Sequence, residues 1–110
     1  MVYTEMTEKR KPTYDLEAFK AVCGSVETLP ITVTATRTAR QLGFTLDQVV
    51  AILQTMQRAQ FYKSMTSYGD HRVWQDVYHV PSSAGILYVK FTAELVSDFL
   101  LLSFKEKGND

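Results

Sequence analysis

An α+β domain, with N-terminal helices packed on one face of an antiparallel β-sheet meander, is the fold class this sequence predicts. Three observations carry the prediction. Up to Gln57 the apolar residues recur every three or four positions, the period of a helix with one buried face. From Gln60 onward the recurrence shortens to two, the period of a strand. The extended segments are joined by short turn-forming stretches, so neighbours in sequence become neighbours in space. Helices first and strands after make a layered α+β architecture rather than an alternating parallel one.

Residues 1–7 carry no pattern and read as a mobile leader before a single domain over 8–110. In "PTYDLEAFKAVCG", Thr13 is the expected N-cap, Asp15 and Glu17 lie in the first turn, Leu16, Phe19, Val22 and Cys23 form the apolar stripe, and Gly24 ends the helix. "TATRTARQLGF" predicts a second helix, capped by Thr34, with a thin stripe of Ala35, Ala39 and Leu42 and a stop at Gly43. "FTLDQVVAILQTMQ" predicts the third. Its Thr45 and Gln48 have capping-box spacing, Phe44 and Val49 staple spacing, and Leu46, Val49, Val50, Leu53 and Met56 share a face.

Four strands follow. "QFYKSMTSY" and "RVWQDVYHV" flank a turn at Gly69 and Asp70; Pro81, Ser82, Ser83 and Gly85 lead to "GILYVKFTAEL"; a turn at Ser97 and Asp98 leads to "FLLLSFKEK". Strand parity then sorts side chains between the helix-covered face and the open one. Leu87, Val89, Phe91 and Ala93 are the apolar set of the third strand, which turns Tyr88, Lys90, Thr92 and Glu94 outward. Leu100, Leu102 and Phe104 of the last strand are assigned to the core, with Ser103 and Lys105 opposite. Lys63 shares parity with Met65, and Gln75 with Val77 and His79, but the side each set takes is open. One register gathers Lys63, Gln75, Tyr88 and Lys105 on a common surface.

Composition narrows the function classes. The chain has 110 residues, enough for one core and too few for two domains. Twelve basic residues balance twelve acidic ones, so no global field attracts nucleic acid and any anion site must be local. No apolar run reaches the roughly 20 residues of a membrane span, and "MVYTEMTEKRKP" has no secretory apolar segment, which implies a cytoplasmic location. Cys23 is the single cysteine, excluding an intrachain disulfide and a cysteine-cluster metal centre. Yet "FYKSMTSYGDHRVWQDVYHV" crowds aromatic rings, two histidines and both signs of charge into paired strands, more chemical equipment than an inert sheet needs.

That run, followed by "LYVK" and "LLLSFKEK", resembles the MqsR family of bacterial toxins, and "EKRKP" is similar to that family's N-terminus. The likeness extends from Glu8 to Lys107, with only the pattern matching between Ser25 and Gln57. It implies a RelE-like fold and an mRNA interferase that cuts free mRNA without the ribosome or a metal or other cofactor, preferring GC-containing triplets such as GCU. A zinc-binding MqsA-like antitoxin is the implied partner. The family's cleavage residues carry over to Lys63, Gln75, Tyr88 and Lys105, with Met65, His71, Lys90 and Lys107 as substrate-binding candidates. His79 stands where the family resemblance leads one to expect arginine.

These residue types suit the chemistry. Cleavage by the ribose 2′-OH needs a base, a cation to stabilise the phosphorane, and an acid for the leaving 5′-oxygen. Lysines supply charge, and a desolvated lysine beside another cation is able to act as a base. Tyr88 donates a proton or holds a phosphate oxygen, and Gln75 orients the phosphate or reads a base edge. Considered without the resemblance, Lys63, Gln75 and Lys105 are solvated sheet residues, and the rival function is a non-catalytic RNA- or protein-binding module. Trp74 is expected in the core. Tyr62, Tyr68 and Tyr78 divide between stacking on bases and packing the sheet, and Asp70 beside His71 suggests a local hydrogen bond.

Overall fold

The computed structural model describes residues 7–94 and 98–108. Three helices, α1 (Leu16–Val22), α2 (Val33–Gln41) and α3 (Leu46–Gln54), precede the main strands, with single 3-10 turns at Val26–Thr28 and Arg58–Gln60. The sheet has five antiparallel strands in sequence order: β1 (Glu8–Lys9), β2 (Phe61–Thr66), β3 (Trp74–Ser82), β4 (Gly85–Glu94) and β5 (Asp98–Glu106). The α+β class and the meander are those expected, with β1 as an addition. Two residues are too short for a period-two signal; Glu8 and Lys9 become a strand because Met65 and Ser64 lie opposite. Residues 1–6 of the expected leader lie outside the described residues, whereas Thr7 is tied down, its N–H donating to the Thr66 hydroxyl and its carbonyl accepting from the Thr66 N–H, both at 2.8 Å.

The helix caps show where local chemistry competes. α3 begins as its sequence predicts: the Thr45 side chain accepts from the Gln48 N–H, and the Gln48 side chain accepts from the Thr45 N–H. α1 is capped by Asp15 rather than Thr13; the Asp15 carboxylate accepts from the N–H groups of Glu17 and Ala18. Thr13 is instead held by the sheet. Its N–H reaches both carboxylate oxygens of Asp76 at 3.1 Å, and its hydroxyl shares a 2.8 Å hydrogen bond with that of Ser64. α2 starts two residues earlier than expected, capped by Thr32 rather than Thr34, with the Thr32 side chain accepting from Ala35 N–H, and ends before Gly43, whose φ of 89° suits glycine.

One face of the sheet packs on the helices. Phe19 of α1 stacks on Phe91 of β4 with ring centroids 3.7 Å apart, and Phe44 meets Phe104 edge-on at 5.9 Å. Val49, Leu53, Met56, Tyr78, Val80, Leu87, Val89 and Leu101 join this buried layer, with Leu16, Cys23, Ala35 and Ala39 from the first two helices and the residue after α1. In β5 the expected assignment of Leu100 and Leu102 to the core is corrected: Leu101 and Phe104 are fully buried, and Leu100 and Leu102 are half-buried. The register explains it. Lys90 pairs with Ser103 but Phe91 pairs with Leu101, so Leu102 is an extra residue that switches the parity of everything before it. The bulge keeps Ser103 and Lys105 on the open face while returning Leu101 to the core.

The two edges of the sheet differ. Along β5, Pro30 and Thr32 exchange backbone hydrogen bonds with Leu101, and the hydroxyls of Thr32 and Thr38 donate to the carbonyls of Leu102 and Phe104. Along β2, among the described residues, β1 pairs with Ser64 and Met65, Thr7 bonds with Thr66, and the Arg10 guanidinium donates to the Tyr62 carbonyl.

Candidate active site

The open face is set by register. Lys63 lies opposite Val77, Val77 opposite Lys90, and Lys90 opposite Ser103, which makes one row across four strands. Two residues along, His79 lies opposite Tyr88 and Tyr88 opposite Lys105. In the other direction Met65 lies opposite Gln75, with Glu8 beyond it. Directly paired residues share a face, so Lys63, Gln75, Tyr88 and Lys105 all project from the surface away from the helices. The sheet side left open by strand parity is thereby fixed.

Val77 explains why these lysines are constrained. It has no accessible surface although it faces away from the core, because its cross-strand neighbours on both sides are lysines. Lysine stems are long enough to cover an apolar cross-strand neighbour while the charged ends stay toward solvent. The two ends have different environments. Lys63 donates to the Glu8 carboxylate at 2.5 Å, and this hydrogen bond and ion pair raise the lysine's pKa and lower that of Glu8. Lys90 has no hydrogen-bond partner among the described residues, and its pKa is lowered, first by burial and then by the charges of Lys105 and Lys63. The lowered lysine expected of such a site is therefore Lys90 and not Lys63.

Aromatic rings adjoin the lysines. The Tyr62 ring stacks on His79 at 4.2 Å with planes 24° apart, and the His79 and Tyr88 rings are 6.3 Å apart. Lys105 Nζ stands 5.2 Å from the Tyr88 ring centre and Lys63 Nζ 5.3 Å from that of Tyr62, while Arg10 covers Tyr62 at 5.7 Å. Tyr62 reaches the open face because the β2–β3 register shifts between Phe61 and Lys63. The layer Arg10, Tyr62, His79, Tyr88, Lys105 thus crosses the sheet beside the Lys63–Lys90 row.

The remaining predicted residues divide. Lys107 continues the same side of the β5 end, its N–H donating to the Ile86 carbonyl, and Met65 stands next to Gln75. His71 is not brought to this group. It is exposed on the turn before Trp74, and Trp74 to His79 is five strand residues, about 16 Å. The hydrogen bond expected beside it is made by Arg72, whose N–H and guanidinium donate to the Asp70 carboxylate and lower its pKa. Tyr78 belongs to the core, packed on Phe61 and Phe91, and burial raises its pKa to about 12. Trp74 is half-buried with Lys9 Nζ 4.2 Å from its ring. Glu8, Arg10 and His79 are members of this face that parity alone did not find: the first two come from an unrecognised strand and the residue beside it, and His79 shares the parity of Gln75 and needed only its side to be fixed.

Among the described residues, no three His, Cys, Asp or Glu side chains group as a metal site, and no helix is long and apolar enough to cross a membrane. The fold and this face define a small α+β protein whose helices support a sheet presenting an array of lysines and phenols. A model of the family described as motility quorum-sensing regulator, toxin of MqsA, matches residues 11–106. The chain is also 39% identical over 102 residues to the mRNA interferase toxin MqsR of Escherichia coli K12, covering 91% of this chain and 99% of that protein. The protein belongs to the MqsR toxin family, and its three helices and antiparallel sheet are consistent with the RelE-like arrangement.

Proposed function

We propose that this protein is an mRNA interferase, a sequence-preferring endoribonuclease that cuts GC-containing sites such as GCU without ribosome or metal, and that it is the toxin of a type II pair. The observation that carries the reading is Lys90, a half-buried ammonium held between Lys63 and Lys105 with no acceptor among the described residues. Repulsion and desolvation there are relieved when a phosphate enters, which makes the row a receptor for a backbone phosphodiester. Lys63 and Lys105 stabilise charge on the phosphorane, Tyr88 holds or protonates an oxygen, and Gln75 orients the phosphate. Met65, Lys107 and, at the far turn, His71 meet flanking nucleotides. The relative's name supports RNA as the substrate.

Glu8 adds a condition. Its carboxylate takes one of the three donors of the Lys63 ammonium, so an incoming phosphate competes with it for that lysine. The neutralising partner is an MqsA-like antitoxin, as the family description supports, captured at a sheet edge by strand pairing. The work is done in the cytoplasm, where mRNA is. Incubating purified protein in EDTA with a GCU-containing transcript is expected to yield fragments with 5′-OH and 2′,3′-cyclic phosphate ends, lost in folded Lys63→Ala or Tyr88→Ala variants. Activity that disappears with EDTA removes the metal-free mechanism, and a gel shift without new ends transfers the protein to the binding-module class.

A further inference from the structure

The open face also holds an imidazole, the side-chain type whose ordinary pKa lies nearest neutrality. His79 sits between Tyr62, stacked at 4.2 Å, and Tyr88, its cross-strand partner, with ring centres 6.3 Å apart. The stack fixes the imidazole plane, and the row of Lys63 and Lys90 runs beside it. From this geometry we infer that His79 is the general base of RNA cleavage, an assignment that rests on the endoribonuclease reading above.

The step balances without any co-reactant. Neutral His79 takes the proton of the ribose 2′-OH as the 2′-oxygen attacks phosphorus; the new P–O2′ bond forms, the P–O5′ bond breaks, and the leaving 5′-oxygen takes a proton from Tyr88 or from water. The products are a 2′,3′-cyclic phosphate and a 5′-OH, with a net transfer of one proton. A lysine is a poorer base at neutral pH, since only a small fraction is deprotonated unless its pKa falls far, whereas an ordinary imidazole of pKa about 6.5 is mostly neutral at pH 7.5. Lys63 is moved the wrong way for a base by its bond to Glu8. The surrounding cations, Arg10, Lys63, Lys90 and Lys105, then serve the phosphate rather than the proton.

This assignment separates the two histidines. His71 lies on the turn beyond Trp74, and Trp74 is itself about 16 Å along the strand from His79 by the rise per residue, so the pair does not form a two-histidine ribonuclease centre. Among the described residues, Tyr62 on β2 and Tyr88 on β4 pack against His79, and the cations around that layer include Arg10 and Lys63 beside Tyr62, Lys105 beside Tyr88, and Lys90 in the adjacent row. Phenols ordinarily titrate around pH 10 and Lys90 below the usual lysine value, so the inflection is assigned to the imidazole by its loss in His79→Phe and not by its position.

The test is the pH profile of kcat/KM on a GCU-containing oligoribonucleotide, for the wild type, His79→Phe, His79→Gly and His71→Asn. His79→Phe keeps a ring between Tyr62 and Tyr88 and preserves the fold, checked by its melting curve. The expected result is a kcat lower by about 100-fold or more with KM changed by less than about threefold, and loss of the acidic limb that the wild type shows. Added imidazole restores part of the activity of His79→Gly, and the acidic limb persists in His71→Asn. A folded His79→Phe that cuts at the wild-type rate, or keeps the acidic limb, overturns the assignment while leaving the endoribonuclease reading intact. A wild type that never cuts, with variants equally silent, overturns that reading and this inference with it.

Discussion

Asp76 offers the sharpest test of how the sheet and helices are joined. Its side chain is fully buried, and its two oxygens accept from the N–H of Thr13, at 3.1 Å each, and from the N–H of Tyr14 at 2.9 Å. Asp76→Asn keeps the shape but replaces one acceptor by an NH2 that points at an N–H donor. A hydrogen bond from a backbone N–H to a charged acceptor contributes about 1.5–3 kcal/mol, and the orphaned buried donor adds a desolvation penalty. Against this stands the gain from no longer burying a carboxylate. With two donors converging on the group, the loss should win, leaving a net destabilisation of about 2–3 kcal/mol. For a domain near 100 residues that corresponds to a melting temperature lower by about 10–20 °C. Urea denaturation followed by the fluorescence of Trp74 measures it. A variant as stable as the wild type, within about 0.5 kcal/mol, would show that carboxylate desolvation cancels its contacts and would refute the anchoring role.

Phe19→Ala removes the ring stacked on Phe91 and edge-on to Phe99, and a loss of about 3–5 kcal/mol is expected in the same titration. Lys90→Met should separate stability from function. Because folding lowers the Lys90 pKa, the folded state binds fewer protons between that lowered value and the unfolded one, so wild-type stability rises with pH across that window. At pH 7 the methionine variant, free of the buried charge, should be the more stable, and its advantage should shrink as pH climbs toward the ordinary lysine range. For RNA, the slope of log binding constant against log salt should become shallower by about 0.7, one phosphate contact on a single strand. Equal salt slopes would place Lys90 away from the backbone.

The parts legible in the sequence were those written by local chemistry. The capping box of Thr45 and Gln48 depends on residues three apart, and the open-face parity of Tyr88 and Lys90 follows from apolar neighbours on the same strand. What could not be read depends on partners distant in sequence. Thr13 looks like a cap until Asp76, 63 residues away, claims its N–H. Leu102 looks like core until β4 sets the pairing and makes it the bulged residue. Lys63 and Lys90 are identical as letters; the carboxylate of Glu8, from a strand of two residues, raises the pKa of one, and burial near like charges lowers that of the other.

The short strand β1 bears on where such a chain can be trimmed. The family match starts at Lys11, and a protein shortened to that point would lack both strand residues. Lys63 would lose its counter-ion, Trp74 the ammonium above its ring, and Ser64 and Met65 their backbone partners. The fragment would keep most of its core, yet present a bare strand margin that invites self-association. Its chemistry would also be measured on a face that had lost both the Glu8 carboxylate and the Arg10 guanidinium, so an activity recorded for it would belong to a different electrostatic object from the longer chain.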